Sequence, residues 1–126
     1  MHTDVATVRE DVPVGDLCDM LQQAHVNGLP VLNADGELVG IVTEQDVLYG
    51  TMGSRGDAAG ENPLLVRDIM TSPAVCATED TDVVELCELM WGMRIHRIPI
   101  VREGRIVGLV TALDLIRAVA EGTLHS

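Results

Sequence analysis

The chain has 126 residues and a formal net charge of -12, and every basic residue is an arginine. Such a field opposes nucleic acid and anionic membrane surfaces over the molecule as a whole, so an anionic ligand has to be held by a local arginine cluster. The length suits one compact domain or two small halves sharing a core; with 47% hydrophobic residues but only Tyr49 and Trp91 aromatic, that core has to be built from Val, Leu, Ile and Met.

In chain order, a short extended segment at Val5–Val8 leads through the acidic turn Glu10-Asp11 into an amphipathic helix. Val14, Leu17, Cys18 and Leu21 fall at i, i+3, i+4 and i+7 and form its apolar stripe. Leu29–Leu32 and the run ending Gly40-Ile41-Val42-Thr43 read as a hairpin, with Asn33-Ala34-Asp35-Gly36 as its turn. Gly40 sits mid-strand, where glycine weakens a sheet unless a packed helix or a ligand ring needs close approach. Thr43-Glu44-Gln45-Asp46 then opens a helix carrying Val47-Leu48. The stretch from Gly50 to Asn62 is rich in Gly, Ser, Ala and Asp with no apolar periodicity and reads as a flexible linker. Leu64–Met70 resumes as a short helical lead-in.

From there the pattern recurs. The extended segment Ala74–Ala77, the turn Glu79-Asp80, the helix with Val83, Leu86, Cys87 and Met90, the strand Ile98–Val101, the turn Arg102-Glu103-Gly104, the strand ending Gly108-Leu109-Val110-Thr111 and the helix with Leu115-Ile116-Val119 follow in the same order. Sliding the sequence by 69 residues superposes Leu17-Cys18 on Leu86-Cys87 and Pro30 on Pro99. After the hairpin the offset is 68, because the first turn is one residue longer, and Thr43 and Asp46 fall on Thr111 and Asp114. The chain is a duplicated unit. It divides into a first repeat at 1–50, a linker at 51–63 and a second repeat at 64–126. Met1 aligns with Met70, so the first repeat lacks its own lead-in; either the gene begins there or the chain is a fragment.

Each Thr-x-x-Asp predicts a capping box, the threonine accepting from a free amide of the first turn and the acid reaching back to the cap amide. The same geometry collects a hydroxyl, a carboxylate and the positive end of a helix dipole, where a ribose diol and a phosphate could be received. Two copies in matching contexts favour the ligand-binding reading over capping alone. Residues 1–50 hold nine acids against Arg9 alone, whereas residues 64–126 hold nine acids against six arginines, which makes the second half the better anion binder.

Cys18, Cys76 and Cys87 are odd in number, lack Cys-x-x-Cys spacing and follow no signal peptide or long apolar span, which points to a reducing, cytoplasmic setting. Cys18 and Cys87 share one stripe position and are expected to be small buried hydrophobes. His2, His25, His96 and His125 are too scattered for a metal site.

Val66-Arg67-Asp68-Ile69-Met70-Thr71, His96-Arg97-Ile98-Pro99-Ile100-Val101, Gly104-Arg105-Ile106-Val107-Gly108 and Thr111-x-x-Asp114 together resemble a CBS domain, and the preceding unit resembles a second, more weakly marked copy. The resemblance covers the whole chain apart from the linker. It implies an α+β fold: two β-α-β-β-α repeats packed with pseudo-twofold symmetry as a CBS-domain pair. It also implies binding of AMP, ADP, ATP or S-adenosylmethionine, regulation of an enzyme or transporter, and a homodimer through the helices carrying Leu17–Leu21 and Leu86–Met90. Carried over, Asp46 and Asp114 take ribose hydroxyls, Thr43 and Thr111 lie near ribose or phosphate, Ala6 and Val75 contact the base, and His96 and Arg97 reach the phosphates. The first repeat departs from this pattern in having Asn27-Gly28 where the second has His96-Arg97.

The leading expectation is therefore an adenosine-nucleotide sensor without a catalytic cofactor. A ligand-free dimerisation module is the alternative, supported by Trp91 and Met93, which flank the stripe where the first repeat has Gln22 and Ala24. An enzyme is disfavoured: Ser54, Ser72 and Ser126 are the only serines, and no nucleophile sits beside a histidine in a recognisable motif.

Overall fold

The structure, a computed structural model, describes residues 3–52 and 63–121. The chain divides into two compact units, one built on Ala6–Ala74 and the other on the chain from Val75 onward with the residues before Ala6. The first unit contains β1 (Val8–Arg9), α1 (Val14–Ala24), β2 (Gly28–Leu32), β3 (Leu38–Thr43), α2 (Glu44–Met52) and α3 (Val66–Ile69). The second contains β4 (Ala77–Thr78), α4 (Val83–Met93), β5 (Arg97–Arg102), β6 (Arg105–Thr111) and α5 (Ala112–Ala120).

Each unit has a three-stranded sheet, ordered β1-β2-β3 and β4-β5-β6. The first strand runs parallel to the second, and the second pairs antiparallel with the third. A helical crossover supplies the parallel step and a tight hairpin the antiparallel one. The duplication extends to irregularities: both hairpins shift register at the same place, between Val31 and Leu32 and between Ile100 and Val101. Both first helices end on a left-handed residue that is not glycine, His25 and Arg94, each with φ 55°. Glu103 at φ 53° and Gly104 at φ 83° form the two-residue turn between Arg102 and Arg105, with the positive dihedrals that match a hairpin's twist. In the longer first turn, Asn33 Oδ1 accepts from the amides of Asp35 and Glu37, both at 2.9 Å. That side-chain cap accommodates the residue that changes the repeat offset.

The core is aliphatic, as composition requires. One cluster joins Val8, Leu17, Leu21, Leu29, Val31, Val42 and Val66, and the other joins Ala77, Leu86, Met90, Ile98, Ile100 and Leu115. Five positions correspond across the repeats, from Val8 and Ala77 to Val31 and Ile100.

Three expectations are corrected. Cys18 and Cys87 are exposed. The buried arc of α1 is Val14, Leu17 and Leu21, and that of α4 is Leu86 and Met90, so the i+4 position of each stripe falls on the rim rather than in the core. Helix α2 continues to Met52, past the expected start of the linker at Gly50; residues 53–62 of that linker lie outside the described residues. Strand pairing begins at Val8 and Ala77 rather than at Val5 and Ala74.

The lead-in packs on the first unit. Val66 is fully buried there, the Val14 amide donates to Leu64 O, and the amides of Val66 and Arg67 donate to the carbonyls of Val12 and Glu10, each at 2.9 Å. Thr71 then forms an antiparallel bridge with Ile41.

Candidate functional site

The junction of β3 and α2 is built by its own sequence. The Asp46 carboxylate reaches back across the first turn, where Oδ2 accepts from the Thr43 amide at 2.9 Å and from the Thr43 hydroxyl at 3.2 Å. The Asp46 amide donates to Thr43 Oγ1 at 3.3 Å. These reciprocal bonds satisfy orphan donors of the helix start and aim the acid at the positive end of the helix. The junction of β6 and α5 repeats them: the Thr111 amide donates to Asp114 Oδ2 at 2.9 Å, and the Asp114 amide to Thr111 Oγ1 at 3.2 Å. Thr43, Asp46, Thr111 and Asp114 are all half-buried, and a backbone amide fixes each of the two carboxylates.

His96 and Arg97 come to the same end of the second sheet. Arg97 is exposed, opens β5 and lies opposite Thr111 in register. The His96 carbonyl accepts from the Ala112 amide at 2.8 Å, and the Asn27 carbonyl accepts from the Glu44 amide at 2.9 Å. Position 96 thus has a structural task in its backbone, shared by both repeats, while its side chain is exposed. Gly28, opposite Thr43, replaces Arg97 in the first repeat. A Cβ at Gly28 would stand 2.9 Å from Val42 O and 3.0 Å from Thr43 Cγ2, so the β3 backbone at Val42 and the Thr43 methyl together disfavour a side chain there. Ala6 is exposed and Val75 half-buried, each outside regular secondary structure two residues before its first strand.

Thr71 was not among the residues read as site components. Its hydroxyl donates to Asp46 Oδ1 at 3.3 Å across 25 residues of sequence. Asp46 Oδ2 therefore serves the cap, and Oδ1 meets the connector. The mid-strand glycine has the same explanation. A Cβ at Gly40 would stand 2.8 Å from Met70 Sδ and 2.8 Å from Thr71 O, so the group that approaches is the connector itself, neither a helix nor a ring. The glycine was the signal in the sequence; nothing local named its partner.

An open groove of about 350 Å³ between α1 and α2 is lined by Cys18, Leu21, Gln22, Glu44 and Val47; its lining does not include Thr43, Asp46 or Thr71. Among the described residues no cluster of His, Cys, Asp and Glu could hold a metal ion, and no helix is long and apolar enough to cross a membrane.

Relatives share this architecture. The chain is 36% identical over 115 residues to an inosine-5'-monophosphate dehydrogenase of Methanocaldococcus jannaschii, a match covering 90% of this chain and 21% of that protein. It therefore spans about a fifth of that relative's length. A solved CBS-domain containing protein of Agrobacterium tumefaciens is 30% identical, with a TM-score of 0.74 covering 93% of this chain and 85% of that one. A CBS domain pair solved with 5'-methylthioadenosine and S-adenosyl-L-methionine is 25% identical, with a TM-score of 0.73 covering 93% and 92%. With the CBS domain model matching residues 1–52 and 66–121, each around one of the two capped strand-to-helix junctions, the chain belongs to the CBS domain family and carries the domain twice.

Proposed function

We propose that the chain is a regulatory module that binds an adenosine-containing ligand and controls a partner protein, an enzyme or a transporter. The observation that carries this reading is the doubled Thr-x-x-Asp junction, in which a half-buried carboxylate is held at a helix start by backbone amides. An ionised carboxylate in that setting forms charge-assisted bonds with a ribose diol. The solved domain pair with its two adenosine-containing ligands supports the ligand class, and the dehydrogenase relative supports regulation of an enzyme. The second repeat is the stronger nucleotide site, because Arg97 stands opposite Thr111 where the first repeat has Gly28 opposite Thr43. AMP, ADP, ATP and S-adenosylmethionine are the candidate ligands, Val75 and Ala6 the base contacts, and His96 and Arg97 the phosphate contacts.

A thermal-shift panel of those four ligands tests the reading. A ligand at a hundred times its dissociation constant should stabilise the chain by about 2.7 kcal/mol, and Asp114→Ala should diminish the response. If none of the four shifts the transition, or if Asp114→Ala leaves every response unchanged, the reading is wrong.

One observation favours a second role. Trp91 is 88% exposed and lies seven residues from Val84, itself 49% exposed, on α4. A large aromatic presented to solvent is the kind of group that concentrates interface energy, so a homodimer through α1 and α4 accompanies the sensor reading and replaces it if no ligand binds. A strictly monomeric species at high concentration in sedimentation would remove it.

A further inference from the structure

Four hydrogen bonds fasten residues 71 and 72 to the first unit, three to β3 and one to α2. The Ile41 amide donates to Thr71 O at 3.0 Å, the Thr71 amide donates to Ile41 O at 2.8 Å, Ser72 Oγ donates to Val39 O at 2.8 Å, and Thr71 Oγ1 donates to Asp46 Oδ1 at 3.3 Å. Two of these bonds join backbone to backbone as an antiparallel bridge, and the Ser72 hydroxyl adds a third to the same strand. The fourth is the longest, and it ends on the carboxylate proposed to receive a ribose. From Ser72 the chain runs directly to Val75, where the second unit begins.

Resting on the sensor reading, we infer that residues 70–72 form a strap whose docking on β3 opposes ribose binding at Asp46, so that occupancy of the first repeat is reported to the chain entering the second. Oδ2 is committed to the Thr43 amide and hydroxyl. A ribose diol donating to Asp46 is therefore received at Oδ1, where it takes the place of the Thr71 hydroxyl. Losing that bond weakens the hold on the strap, and by reciprocity a loosened strap raises affinity for the ribose. Gly40 makes the device possible, since a side chain there would exclude both Met70 and Thr71 O from β3.

Adenosine, which has a ribose and no phosphate, is the probe. It is titrated into the full-length chain with occupancy of the first repeat read from the Thr43 and Asp46 amide resonances. Thr71→Val should tighten adenosine about threefold to tenfold, the effect of one long, solvent-exposed hydrogen bond, and Thr71→Ser should match the parent. Ser72→Ala, which loosens the strap without touching Asp46, should tighten it about twofold. In the parent, saturating adenosine should lower the hydrogen-exchange protection of the Ile41 and Thr71 amides. If Thr71→Val tightens binding but Ser72→Ala and exchange protection do not respond, the hydroxyl merely swings aside and the strap is refuted. If Thr71→Val does nothing while Asp46→Ala abolishes binding, the strap fails and the sensor reading stands. If adenosine never perturbs the Thr43 and Asp46 amides, or Asp46→Ala has no effect, the first-repeat site fails and the strap with it.

Discussion

Gly40→Ala puts the packing of the connector to a quantitative test. The new methyl would stand 2.8 Å from both Met70 Sδ and Thr71 O. A backbone oxygen cannot yield as a flexible side chain can, so residues 70–72 must move or the strand must distort. If the strap lifts, the two bonds between Ile41 and Thr71 and the bond from Ser72 to Val39 are lost, at about 1 kcal/mol each. If it stays, overpacking costs about 1–3 kcal/mol. Against either stands a gain of roughly 0.5–1 kcal/mol from replacing a strand glycine. The expected net destabilisation is about 2 kcal/mol if the strap lifts, and up to about 2.5 kcal/mol if it stays. Gly92→Ala is the control, because a Cβ in that helical position meets nothing within 4 Å and should stabilise by about 0.5–1 kcal/mol. Urea unfolding should be followed by far-ultraviolet circular dichroism, since Trp91 is 88% exposed and a weak reporter of unfolding. A Gly40→Ala variant as stable as the parent, with unchanged exchange protection at Thr71, would refute the close packing of connector on strand.

Other outcomes follow from burial and charge. Leu17→Ala removes a side chain with 0% exposure and should cost about 2–5 kcal/mol in chemical denaturation. Val66→Ala should cost about 2 kcal/mol, and the loss of exchange protection should centre on the first unit's core around Leu17 and Val31, although Val66 follows the linker. Trp91→Ala should change stability by less than about 0.5 kcal/mol while weakening self-association in sedimentation. Arg97→Ala should weaken AMP about tenfold or more and adenosine far less in calorimetric titration, because a bond to a charged group contributes roughly 1.5–3 kcal/mol; equal losses for both ligands would place Arg97 away from the phosphate.

Much of the fold is local and therefore legible. The duplication, the strands and helices, the aliphatic core and the two capping boxes depend on contacts within a few residues or on a period that the chain states twice. Asp46 and Asp114 were identifiable because a capping box spans only four residues, and each carboxylate finds its amide in the same turn. Gly28 against Arg97 was likewise visible as a difference between aligned positions, although the obstruction by Val42 O and Thr43 needed coordinates. Cys18 and Cys87 show where periodicity stops deciding. A helical stripe is wider than the arc a small sheet can cover, and which edge remains wet depends on what packs beside it. Trp91 flanks the stripe in the sequence, and tertiary packing leaves it 88% exposed. Least legible were the relations between distant segments. Val66 completes the first unit's core, Thr71 bonds Asp46 and Met70 crowds Gly40, each across more than 20 residues. A mid-strand glycine records that something comes close, but closure of a long loop is decided by the sum of burial and backbone bonds at its far end, and no local pattern encodes that sum.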